Sequence, residues 1–175
     1  MELKDSKFSD SKMLAFRPTF YFNDEKTYPI RAGGVLIYKI INNRVKLLMI
    51  KKKDETYEDI GGKTDLNDIT ELDTICREVE EETNMVINKN IIKYQLNKSK
   101  NIYITNSKYL LYLVEANSYE RNLKSTYFGT KELKDNIIRT IQWIDIDNLL
   151  ENKLKFNPRI CGSELKIFLK DHFNL

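Results

Sequence analysis

The sequence predicts an α/β fold, organised around one strong amphipathic helix. Three observations predict it. Apolar strand-forming runs lie both before and after that helix. The helix is entered from a strand hairpin through a Gly-Gly-Lys turn and a loop. The chain, at 175 residues, is long enough for one domain with a substantial core.

Taken in order, MELKDSKFSD opens the chain. It is charged and has no apolar h-region, so it is not read as a secretory signal. The first dozen residues are expected to form a mobile end. The run Phe16 to Phe22 is expected to make an edge strand or to pack over the core. The predicted division is an N-terminal extension over 1–26, partly mobile, and one domain over 27–175.

Ile30 to Ile41 (IRAGGVLIYKII) reads as a buried strand whose glycine pair permits close backbone approach. Asn42-Asn43 supplies turn chemistry, and Val45 to Ile50 forms the returning strand. Lys51, Lys52 and Lys53 follow at once; a charge run is ordinarily solvated, but one of them could meet a phosphate as a point charge. Tyr57 to Ile60 leads into Gly61-Gly62, a pair that allows a tight turn. Lys63 is a further candidate phosphate contact.

From Glu71 to Thr83, Leu72, Ile75, Cys76, Val79 and Thr83 recur at helical spacing. Thr70 is the expected N-cap, with Asp73 in the capping-box position. Glu78, Glu81 and Glu82, at i+3 and i+4, share one face within an arc of roughly 100°. They lie in the last turns, where the helix dipole disfavours negative charge, and Arg77 offsets only part of their repulsion. Three hard oxygen donors on one face suit Mg²⁺ or Mn²⁺, particularly beside a phosphate substrate.

After the helix, Ile91 to Leu96, Asn101 to Thr105 and Tyr109 to Ala116 read as strands. Asn117 to Asn136 is a long polar segment, and loops of this length are often functional. Ile137 to Ile144 is the last predicted strand, Asp145 to Leu150 a short helix, and Ile160 to Phe173 a closing helix. His172, the one histidine, is expected at the exposed end without a chemical role.

Composition narrows the function. A net charge of +3 is ordinary for a soluble protein and lacks the basic excess expected of a duplex binder. Cys76 and Cys161 match no zinc spacing, and Cys76 belongs to the apolar stripe. No apolar run approaches bilayer length, so a soluble, intracellular and cytoplasmic setting is the expectation.

The stretch GGKTDLNDITELDTICREVEEETNM resembles the Nudix hydrolase signature, G-x5-E-x7-R-E-U-x-E-E-x-G-U with U a bulky aliphatic residue. Gly62, Arg77, Glu78, Val79, Glu81, Glu82 and Met85 match it in order. Three positions depart: Asp68 stands for the first glutamate, one extra residue separates it from Arg77, and Asn84 replaces the closing glycine. Asn is the next-best residue for a left-handed helix end. The resemblance covers about residues 30–173 and implies a mixed β-sheet between helices, an α/β/α sandwich.

It also implies roles. Glu78, Glu81 and Glu82 would be the catalytic metal-binding carboxylates, with the Gly62 carbonyl joining the shell of Mg²⁺ or Mn²⁺. Gly61, Gly62, Asp68 and Arg77 would be structural, Arg77 holding the helix to the glycine loop. Glu132 in FGTKEL is the candidate additional catalytic glutamate. Lys51, Lys53, Lys63 and Tyr57 are candidate substrate contacts, with Tyr103, Tyr109, Tyr112, Tyr127 and Phe128 as other stacking partners. The implied reaction is hydrolysis of a diphosphate linkage in a nucleoside diphosphate linked to a group X. A nucleotide or dinucleotide polyphosphate is favoured. Capped RNA, or a non-catalytic module binding nucleotide or RNA, are the alternatives.

Overall fold

The computed structural model describes residues 17–175. The expected mobile first dozen and Phe16 lie outside the described residues. Strands β1 (Phe20–Tyr21) and β2 (Pro29–Ile30) pair as a small antiparallel ribbon, and Phe20 and Phe22 pack against the core.

The main sheet holds β3 (Ala32–Ile41), β4 (Arg44–Lys52), β5 (Tyr57–Glu58), β6 (Ile60–Lys63), β7 (Lys100–Ile104), β8 (Tyr109–Glu115) and β9 (Arg139–Asp145). It is mixed. Strand β3 runs parallel to β8, in register Ala32↔Tyr109 to Tyr38↔Glu115, and antiparallel to β4 and β6. Asn42 and Asn43 close the β3–β4 hairpin with φ of 50° and 60°. Asn tolerates such values better than other non-glycine residues, as two-residue hairpin turns require.

Each long strand sends alternate side chains to opposite faces. Val35 and Ile37, Leu48 and Ile50, and Leu110 and Tyr112 pack against one helical layer, α1 (Glu71–Glu82) and α2 (Lys89–Leu96). Leu36 and Tyr38, Leu47 and Met49, and Leu111 and Leu113 face the other layer, α3 (Ile146–Leu150) and α4 (Ser163–Phe173). The result is an α/β/α sandwich with a core on each side of the sheet.

Thr70 caps α1 as expected: its hydroxyl accepts from the Asp73 N–H while the Asp73 carboxylate accepts from the Thr70 N–H, completing a capping box. Ile91 to Leu96 is the main correction, for it lies in α2 and is no strand. Asn88 caps that helix by accepting from the Asn90 N–H, and Ile92 and Leu96, one turn apart, are buried. A short apolar run does not separate helix from strand by itself, and here the cap and the i+4 pair decide. The closing helix begins later than expected, at Ser163, after a 3₁₀ turn over Pro158–Ile160. His172 is half-buried rather than exposed, with its ring edge-on to Tyr38 and Phe173.

Candidate active site

Strand β6 delivers Gly61 and Gly62 to the edge of a cleft of about 570 Å³, and α1 lies across from them. Close approach is possible only without side chains. A Cβ on Gly62 would collide with the Glu78 carboxylate, and one on Gly61 or Gly34 would strike the Tyr109 hydroxyl. Behind the turn, that hydroxyl donates to Asp59 at 2.5 Å while Arg159 Nε donates to the other Asp59 oxygen at 2.8 Å. Asp59 is fully buried, so this pairing supplies the compensation its charge needs.

Arg77 joins the turn, the loop and the helix. Its Nε and Nη2 donate to the two Asp68 oxygens, each at 2.9 Å, and Nη2 also donates to the Lys63 carbonyl. Asp68 further accepts from the Asp65 N–H and the Thr74 hydroxyl. Burial alone would raise the Asp68 carboxyl, but these donors outweigh it and hold it below its ordinary value. The extra loop residue therefore leaves Asp68 able to grip Arg77.

Glu78, Glu81, Glu82, Glu58, Glu132 and Asp135 give the cleft its acidic lining. Lys52, Lys63, Lys134, Arg17, Arg77 and Arg139 give it the opposite sign. Burial pushes the Glu82 carboxyl well up, and the charge of Glu78 adds to it, against one hydrogen bond from the Gly61 N–H at 2.6 Å. Burial also raises Glu78, though Arg77 partly opposes this. Glu132 is buried and raised too, first by desolvation and then by Asp135.

These residues fit a divalent cation in donor chemistry: carboxylates on one helix face, with Glu78 and Glu82 disfavoured as anions where they stand. Their arrangement differs from the expectation. Among the described residues, no three His, Cys, Asp or Glu side chains form a group placed to hold an ion. Each of the three carboxylates is engaged elsewhere. Arg77 Nη1 bridges Glu78 at 2.8 Å and Glu81 at 3.1 Å, Lys134 takes Glu81 at 2.6 Å, and Glu82 turns to Gly61. Glu78, Glu81 and Glu82 thus share the cleft without meeting at one point.

The other expected contacts divide. Lys63 lines the cleft; Lys51 and Lys53 do not. Strand parity is the cause: Lys52 follows Leu48 and Ile50 on the α1 side, whereas Lys51 follows Met49 to the opposite face and pairs with Glu55. Tyr57 is no stacking surface for a ligand. It is buried against Phe156, with its hydroxyl accepting from Gln142. Tyr109, Tyr112 and Phe128 are buried too, Tyr103 stacks on Phe22, and Tyr127 lies away from the cleft.

Glu58, Lys134 and Arg139 carry no signal that the sequence alone revealed. Within the lysine run, parity along β4 singles out Lys52. Lys134 lies in the turn over 133–135 that follows Glu132, where no strand or helix period places it. Arg139 is buried and donates to the Phe128, Gly129 and Glu82 carbonyls, a role with no local sequence signal.

A family model described as NUDIX domain matches residues 30–161. No curated protein matches the chain. Among solved structures, two of a C. elegans Ap4A hydrolase, one of them a binary complex, are each 17% identical with a TM-score of 0.45. Those matches cover 82% of this chain and 94% and 95% of theirs. Shewanella oneidensis NrtR matches at 10% identity and a TM-score of 0.43, over 79% of this chain and 59% of that one.

Proposed function

The chain belongs to the NUDIX domain family, and from that premise we propose that it is a metal-dependent pyrophosphohydrolase cleaving a diphosphate linkage in a nucleoside diphosphate-X type substrate. The observation that supports this most is the juxtaposition of Glu78, Glu81 and Glu82 with Lys52, Lys63 and Lys134 in one cleft. Carboxylates there can hold a cation, and ammonium groups opposite can hold the phosphates.

Mg²⁺ or Mn²⁺, when bound, would neutralise phosphate charge and make a water acidic enough to give up a proton and act on phosphorus as hydroxide. Glu78, Glu81 and Glu82 would hold it, with the Gly62 carbonyl as a backbone donor. Glu132, buried across the cleft and raised in pKa, is the residue assigned to accept a proton from the attacking water. Arg77 does not need to touch substrate. Its hold on Asp68 and the Lys63 carbonyl sets the distance between helix and glycine turn, and so between the carboxylates and the phosphate-binding edge. Lys52 and Lys63 would meet the phosphates as point charges. A nucleotide or dinucleotide polyphosphate is the favoured substrate, and an intracellular setting follows from that choice.

The test is a panel of nucleoside triphosphates, dinucleoside polyphosphates, nucleotide sugars, inositol pyrophosphates and capped RNA, incubated with Mg²⁺ or Mn²⁺ and analysed by mass. Hydrolysis of at least one diphosphate is expected. Tight binding with every ligand left intact would instead favour a non-catalytic nucleotide- or RNA-binding module.

A further inference from the structure

Asn84 stands where the family pattern closes its helix with glycine, and its side chain is fully engaged. The backbone there is left-handed, φ 53°, followed by Met85 at φ 62°. The amide nitrogen donates to the Phe128 carbonyl at 2.8 Å and to the Lys131 carbonyl at 2.9 Å. The amide oxygen accepts from the Leu133 N–H at 2.9 Å. Two carbonyls at one end and an N–H at the other leave the amide a single satisfactory orientation.

Those three bonds span the segment that carries Glu132 and Lys134 into the cleft. The segment is also closed on itself, Glu132 N–H donating to Ile137 O and Arg139 N–H to Thr130 O. Arg139 adds a second tie, binding the Phe128 and Gly129 carbonyls and the Glu82 carbonyl at the end of α1. A glycine at position 84 could adopt the same backbone but would supply none of the side-chain bonds.

We propose that Asn84 is a positioning residue: its side chain seats residues 128–133 on the C-terminal end of α1, keeping Glu132 and Lys134 on the face that carries Glu78 and Glu81. The departure from the family pattern at this position thus performs work that a glycine cannot. This rests on the hydrolase reading for its effect on rate, but the seating itself can be measured without turnover.

The experiment compares wild type, Asn84→Gly and Asn84→Asp by amide hydrogen exchange and by steady-state kinetics on the substrate found in the panel. Asn84→Gly preserves the left-handed backbone. Asn84→Asp keeps the acceptor for Leu133 but sets a carboxylate oxygen against two carbonyls, and it decides the question should the glycine variant not fold. The Leu133 amide is expected to exchange at least about tenfold faster in both, while amides of the central strand β3 keep their protection. The kcat is expected to fall at least about tenfold, with a smaller change in KM. In a Glu132→Gln background the same substitutions should cost little further, because residues acting through one another are not additive. Wild-type exchange at Leu133 overturns the proposal, as does full additivity with Glu132→Gln. If the wild-type protein leaves the whole panel intact, the hydrolase reading falls, and the Leu133 exchange alone still decides the seating.

Discussion

Arg77 grips both oxygens of Asp68 at 2.9 Å each, and this pair fixes the loop between the glycine turn and α1. Asp68 is buried while Arg77 is about one-fifth exposed, so losing the acid strands a largely buried guanidinium. Asp68→Asn is expected to destabilise the protein by roughly 3 kcal/mol, the scale for breaking such a pair. The pH dependence has a definite sign. The folded carboxyl lies below its ordinary 3.8, so its contribution is complete above that value and is lost as pH falls through the folded pKa. Melting curves of wild type and variant should therefore stay separated from neutral pH to about pH 5 and converge in stronger acid. A gap that persists unchanged in strong acid would show that the ionised pair is not what stabilises the loop.

The acidic face of α1 gives a separate prediction with an internal control. Glu80 turns away from the cleft toward Lys89, 3.8 Å distant, whereas Glu81 and Glu82 line the cleft. Glu81→Gln or Glu82→Gln should lower kcat by at least about 100-fold, as when a group stabilising transition-state charge is removed. Glu80→Gln should retain most activity. With EDTA present, Glu82→Gln should melt higher than wild type by about 2–4 °C, the shift for roughly 1 kcal/mol in a chain of this size, because a buried like charge is gone. Adding Mg²⁺ or Mn²⁺ should raise the wild-type melting temperature more than the variant's. Equal damage from Glu80→Gln, with all variants folded, would falsify the assigned helix face.

Gly62 tests how closely the turn and the helix must approach. Its missing side chain is what lets the Glu78 carboxylate lie against β6. Gly62→Ala should leave a cooperative melt but push Glu78 aside, lowering kcat roughly 100-fold, the cost of a displacement near 1 Å. Activity close to wild type would mean that Glu78 can leave this position without consequence for the reaction.

Much of this molecule was legible because its information is local. The Thr70–Asp73 capping box, the stripe Ile75, Cys76 and Val79, and the Asn42-Asn43 hairpin each depend on residues a few positions apart. Two kinds of feature were not legible. The run Ile91 to Leu96 carries apolar residues without enough length to fix a period, so Asn88 and the i+4 burial of Ile92 and Leu96 were needed to reveal a helix. Long-range pairings leave no local trace at all: nothing near Asp59 announces Arg159, 100 residues away, or the hydroxyl of Tyr109. The acidic cluster falls between these cases. Its helix face could be read, but the bridging by Arg77 and Lys134 depends on where a distant loop lands.

The lysine run at the end of β4 offers the sharpest test of how the strand presents its side chains. Lys52 Nζ lies 3.2 Å from the buried Glu58, at the edge of the cleft, while Lys51 pairs with Glu55 on the far face. Successive strand residues point to opposite sides, so only one of these neighbours faces the cleft beside α1. Lys52→Ala should raise KM about tenfold, consistent with losing one charge-assisted contact to phosphate, while kcat changes less. The same variant leaves Glu58 with one fewer cationic partner, so a modest drop in melting temperature should accompany it. Lys51→Ala and Lys53→Ala should leave KM near the wild-type value. Measuring KM for all three against one substrate, at fixed ionic strength, separates a positioned contact from a diffuse charge effect. Three equal increases would mean that the run acts only through its summed charge, and the parity argument for Lys52 would fail.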